Sequence, residues 1–185
     1  VGCRGRVTRG VRSLSTERKS HVIDIISPKV KSGLLPGSEI TSNGRRPVSL
    51  VANHSTHFEC RWVYLQPNPN SPSLFTEGLT EPIYCPVAHG EGRLAVANDA
   101  ILATLQTNNL NALTYVNADG SVADYPFNPN GSAGNIAGLC NSAGNVLGLM
   151  PHPEDHVFSW QHPRWHRREV GLDGLRLFKN GVKNA

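Results

Sequence analysis

The feature that most constrains this chain is its punctuation. From Pro47 onward, short apolar or β-branched runs alternate with clusters of Pro, Gly, Asn and Ser, so few stretches are long enough for a multi-turn helix. The runs 47–52, 58–65, 83–88, 112–117, 136–140 and 146–151 have strand composition. The last two are separated by a tight glycine-containing link and predict a hairpin. One helix is expected where Asn98 and Asp99 precede Ile101, Leu102 and Leu105, fading at Thr107. A terminal helix is expected over Glu169 to Asn180, with Leu172, Leu175 and Phe178 on one face and Gly181 as its stop. Within 58–65, periodicity predicts Phe58 and Trp62 facing a core, with Glu59 and Arg61 on the opposite face. The 185 residues suit one domain.

The net charge of +4 would suggest a polyanion as partner if it were spread over the molecule. It is not. Residues 1–20 hold Arg4, Arg6, Arg9, Arg12, Arg18 and Lys19 against Glu17, so the remaining chain carries a net −1. A nucleic-acid binder needs a basic face on its folded body, and this sequence offers none. The Arg- and Ser-rich stretch 1–30 is expected to be a disordered leader outside the domain, which then occupies 31–185. No apolar run approaches the roughly 20 residues of a membrane span. The four cysteines, Cys3, Cys60, Cys85 and Cys140, form no Cys-x-x-Cys pair. A reducing, cytoplasmic setting is therefore expected.

The densest chemistry is the segment Pro151 to His156, at the end of an apolar run. A strand end opening into a loop is where α/β enzymes hold catalytic groups on a rigid support. Alternation places His152 and Glu154 on one side, where the carboxylate can orient the imidazole and stabilise its protonated form. A competing reading is metal binding, because His152 and His156, and again His162 and His166, are four apart. A second candidate is the glycine-flanked cluster Ala88 to Arg93, which could offer backbone N–H groups and Glu91 to a ligand.

Five motifs occur together in order: SGLLPG (32–37), NHSTHFECRW (53–62), PVAHGEGR (86–93), NPNGSAGNIAG (128–138) and GLMPHPE (148–154). In this order and spacing they resemble the glutaminase subunit or domain of phosphoribosylformylglycinamidine synthase, a class I glutamine amidotransferase, over its C-terminal part. The resemblance implies a flavodoxin-like α/β fold, with the N-terminal part of the sheet missing from this chain. It also implies a Cys, His, Glu triad that hydrolyses glutamine and passes ammonia to a synthetase partner, which amidinates formylglycinamide ribonucleotide in purine synthesis. ATP and magnesium would belong to that partner, leaving no cofactor and no metal in this domain. On this pattern His152 is the general base, Glu154 orients it, and Ala88, His89 and Gly90 line the glutamine pocket.

The resemblance fails at the nucleophile. Counting back from the GLLPG segment, the position of the family's Cys-Asn-Gly turn falls on Ile23, which cannot form a thioester. The Gly-rich oxyanion loop expected ahead of it is not recognisable either, and each lost donor removes about 3 to 4 kcal/mol of transition-state stabilisation. The chain as given is therefore expected to be inactive, either as a relic of a glutaminase or as a non-catalytic subunit that docks on the synthetase. A zinc-binding module built on the four histidines is the third alternative.

Overall fold

The computed structural model describes residues 22–25, 34–37, 46–167 and 173–184. Among the described residues two sheets are formed. The larger has the order β1 (Val22–Ile25), β8 (Val146–Leu149), β7 (Ile136–Cys140), β6 (Asn111–Val116), β3 (Glu59–Pro67) and β4 (Ile83–His89). The pair β1/β8 is parallel and the other pairings in this sheet are antiparallel. The smaller sheet joins β2 (Val48–Val51) to β5 (Arg93–Val96), antiparallel.

Each strand follows from its composition and neighbours. β4 alternates buried and half-buried positions, as a strand with one core face should. The continuous apolar runs of β7 and β8 are buried at every position, so both of their faces are covered. They form the expected hairpin, with Leu139 opposite Gly148. Helix α1 (Asp99–Thr107) starts where Asn98 Oδ1 accepts from Ile101 N at 3.0 Å, and it seats Leu105 in the core.

Helix α2 (Asp173–Lys183) runs through Gly181 rather than stopping there. A side chain at that position would press on Phe75, so the glycine permits close packing instead of ending the helix. The expected start at Glu169 lies outside the described residues. So does most of the leader 1–30, although Val22–Ile25 within it forms β1, a paired strand.

The main sheet curls. His152 N, three residues beyond β8, donates to Pro86 O of β4 at 2.8 Å. Three residues reach about 10 Å, whereas β8 and β4 would stand about 19 Å apart across four spacings of a flat sheet. The end of β8 therefore meets the far edge of the sheet, and Val63, Leu65, Val87, Leu113, Leu139 and Leu177 belong to one main core. This curl brings the motifs on β8 and β4 together. Among the described residues no helix is long and apolar enough to cross a membrane.

Candidate active site

His152 and Glu154 meet as the sequence suggests, but by a different route. The backbone at His152 (φ −110°, ψ 77°) leaves the strand and leads into a single 3-10 turn, Pro153–His156. It is this turn, not strand alternation, that brings His152 Nδ1 to 2.8 Å from Glu154 Oε1. The hydrogen bond to Glu154 raises the His152 pKa above that of an ordinary imidazole. The charges of Glu154 and Asp155 add to the rise, and partial burial opposes it. With Nδ1–H given to the carboxylate, Nε2 is left as the proton acceptor, the arrangement a general base requires.

The Ala88–Gly90 segment ends β4 and is tied down by side chains from two other motifs. Asn53 donates through Nδ2 to His89 O (2.7 Å) and accepts at Oδ1 from Gly92 N (3.0 Å). Asn130 Nδ2 donates to Gly92 O (2.8 Å) and the Tyr115 hydroxyl (3.2 Å), and lies 3.4 Å from His89 Nε2. Asn130 Oδ1 accepts from Ser132 N and Oγ, and Ser132 Oγ accepts from Leu94 N. The His89 imidazole is buried within this network, and burial lowers its pKa. A side chain at Gly92 would run into its ring. What this loop presents outward is therefore the backbone and the half-exposed Ala88 and Gly90, not the imidazole.

Sequence reasoning misjudged the start of β3. Phe58 is 62 % exposed, whereas Glu59 is 3 % exposed. The core positions Val63 and Leu65 set the phase of the strand, and that phase turns Glu59 inward. The buried carboxylate is tolerated because Ser55 Oγ donates to Oε1 at 2.8 Å and Arg61 Nη2 pairs with Oε2 at 2.5 Å. Arg61 in turn lies over the Tyr125 ring, 4.9 Å from its centroid, and donates to its hydroxyl. Tyr125, His54, Ser55, Pro129 and Gly131 border an open, mainly apolar cavity of about 340 Å³. A serine and an arginine flanking Glu59 in sequence were the available signal.

The four histidines of the metal reading do not converge. His156 and His162 pack on each other (ring centroids 5.4 Å apart) and against Trp62 and Tyr84, while His152 is taken by Glu154. Among the described residues no three His, Cys, Asp or Glu surround a point that a metal ion could occupy.

Ile23, aligned with the missing thiol, lies on the strand beside β8 but within it, paired with Leu147. The two strands end level, Ile25 opposite Leu149, and the sequence continues into Ile26. That next stretch, Ile26-Ser27-Pro28, contains no cysteine and lies outside the described residues, as does Cys3. Cys85 and Cys140 are buried in the sheet. Burial raises the Cys140 pKa, which disfavours a thiolate.

The family description of a CobB/CobQ-like glutamine amidotransferase domain matches residues 29–184. The chain belongs to this amidotransferase family. The match takes in all five motifs and begins downstream of Ile23. The amidotransferase domain is similar to the phosphoribosylformylglycinamidine synthase subunit PurQ of Dehalococcoides mccartyi, 44% identical over 161 residues, covering 84% of this chain and 59% of that protein. PurQ of Treponema denticola is 39% identical over 166 residues, covering 83% of this chain and 61% of that one. Among solved structures, PurLQS from Thermotoga maritima matches at 32% identity with a TM-score of 0.56, over 84% of this chain and 56% of that chain. The amidotransferase domain thus has the α/β class I fold, and the chain spans about three fifths of the length of these curated relatives.

Proposed function

We propose that this chain carries the base and the orienting acid of the glutaminase component of phosphoribosylformylglycinamidine synthase. The observation that carries the reading is the 2.8 Å bond from His152 Nδ1 to Glu154, beyond the end of a strand whose parallel neighbour carries Ile23, the position aligned with the nucleophile. In a complete site, His152 Nε2 would take the proton of a cysteine thiol and return it to the leaving amine. Glu154 would hold the tautomer throughout. Glutamine would lie against the Ala88–Gly90 backbone, with the buried His89 ring as its support.

With isoleucine at position 23, this chain has no thiol to activate there, and we expect no glutaminase activity. The test is ammonia release from glutamine by the purified chain against a His152→Ala control. Release above that control would overturn the inactivity. ATP and magnesium belong, on this proposal, to the synthetase partner, and the setting is the cytoplasm.

A second reading, a non-catalytic subunit docking on the synthetase, is favoured by one feature. Just beyond the dyad, Phe158 and Trp160 stack in parallel at 4.7 Å and are 51 % and 64 % exposed. Co-purification with the synthetase that is lost on replacing both by serine would support this reading. Absence of binding by the unaltered chain would remove it.

A further inference from the structure

We propose that His156 is a positioning residue, which holds the Pro153–His156 turn against the edge of β4 and so keeps Glu154 in register with the His152 imidazole.

A single 3-10 turn has little stability of its own, so its orientation must come from tertiary anchors. Two come from β4, and they are spaced like a strand pairing. Tyr84 O and Pro86 O project from the same side of the edge strand β4, being two residues apart. Pro86 O accepts from His152 N at 2.8 Å and Tyr84 O from His156 Nδ1 at 2.5 Å. The turn therefore takes the place of a neighbouring strand, with one backbone donor at its start and one side-chain donor at its end. Glu154 lies between the two anchors.

The anchor at the His156 end is rigid. The ring is 1 % exposed and meets Trp62 edge-on, with centroids 5.2 Å apart and planes at 80°, and it lies 5.4 Å from His162. Gly174 of α2 closes the turn from the other side, where any side chain would strike Pro153 O. Because a carbonyl can only accept, His156 Nδ1 must carry the proton. In the neutral ring Nε2 is then a bare acceptor, and it is buried without a hydrogen-bond partner. A polar atom left unmet in the core is costly, and keeping such a ring there calls for a compensating role of its other nitrogen. The bond to Tyr84 O is that role.

Glu154 cannot supply the order itself. Its side chain is 54 % exposed, and an exposed pair of this kind contributes at most about 1 kcal/mol, too little to hold a turn that has lost its anchor. His156 thus acts through Glu154 on the imidazole, without touching either.

The claim rests on reading His152 and Glu154 as the base and orienter of amidotransferase chemistry, but its test needs no turnover. The His152 imidazole is titrated by heteronuclear NMR in the unaltered chain, in His156→Leu and in His156→Asn, with urea unfolding of each alongside. Asparagine keeps a nitrogen bonded to Cγ, where Nδ1 stood, and can still donate to Tyr84 O. We expect the leucine variant to lose at least half of the upward displacement of the His152 midpoint and the asparagine variant to retain most of it.

A folded leucine variant with an unchanged His152 midpoint would overturn the proposal. So would an asparagine variant that titrates like the leucine one, or loss of fold in both, which would assign His156 to stability alone. Failure of the base-and-orienter reading would show differently, as a His152 midpoint in the unaltered chain that Glu154→Gln leaves unmoved.

Discussion

His89 and His152 sit at the ends of two strands that the curl of the sheet brings together, and their environments drive them in opposite directions. His89 lies inside a network of neutral amides and hydroxyls, where nothing compensates fully for the loss of water, so burial keeps it uncharged. His152 keeps partial contact with solvent and gains a carboxylate, so it is held toward the charged form. Both belong to motifs shared with the amidotransferases, yet one is built to stay neutral and locked and the other to accept a proton. Position in a motif therefore does not by itself assign chemistry. The dielectric surroundings and the partner decide it.

The sharpest way to break this comparison is at Asn130. Replacing it with Leu removes the Asn130 donor from Gly92 O and the Tyr115 hydroxyl in the core and takes the Oδ1 acceptor from Ser132, which keeps Asn128 Oδ1 and Leu94 N. The expected cost is about 3 kcal/mol or more in urea unfolding. An unchanged midpoint would mean that the network is ornamental. Gly92→Ala comes next, since the new methyl would drive into the His89 ring; a loss of about 2 kcal/mol is expected. An alanine variant as stable as the parent would show that the ring moves freely and is not locked.

Glu154→Gln should be the mildest for stability, under about 1 kcal/mol, because the carboxylate is half exposed. Its effect should appear instead in the His152 titration, which is expected to fall toward the ordinary imidazole value of 6.5 while His89 stays below it. A His152 midpoint unmoved by this change would sink the assignment of Glu154 as orienter.

The two histidines should also pull the pH dependence of stability in opposite directions. For His89 the folded-state pKa is depressed, so its contribution is complete above about 6.5 and is lost as pH falls toward the lowered value. For His152 the folded-state pKa is raised. Its contribution is complete below about 6.5 and is lost as pH rises through the raised value. Replacing His152 with Gln should therefore leave a protein whose stability rises from about pH 5 and levels off above about 6.5, with no fall on the alkaline side. Urea midpoints across that range would check it, and a variant that still loses stability as pH rises would refute it.

Strand composition located β2, β3, β4, β6, β7 and β8, and an Asn98 cap located α1, because each is a local signal written within a few residues. β5 went unnoticed: Arg93–Val96 is short, follows a glycine and owes its extended form to pairing with β2, forty-odd residues earlier. Glu59 and Phe58 were assigned to the wrong faces because alternation gives a period without a phase, and the phase came from Val63 and Leu65 packing into the curled sheet. The wrong stop at Gly181 has a similar cause. Contact with Phe75 rewards a missing side chain there, whatever its helix propensity.

For the candidate site, the chain order by itself determined which residue types were available. It placed an imidazole and a carboxylate two residues apart after an apolar run, put glycines beside His89, and left isoleucine where a thiol was expected, since covalent neighbours need no fold to be close. Only the tertiary structure decided what each would do. It turned His89 inward and neutral, left His152 partly in water, pinned the turn to β4 through His156, and set β1 beside β8. These outcomes depend on contacts between segments 36 or more residues apart, where the loss of water and the choice of partner are settled by packing rather than by sequence neighbours.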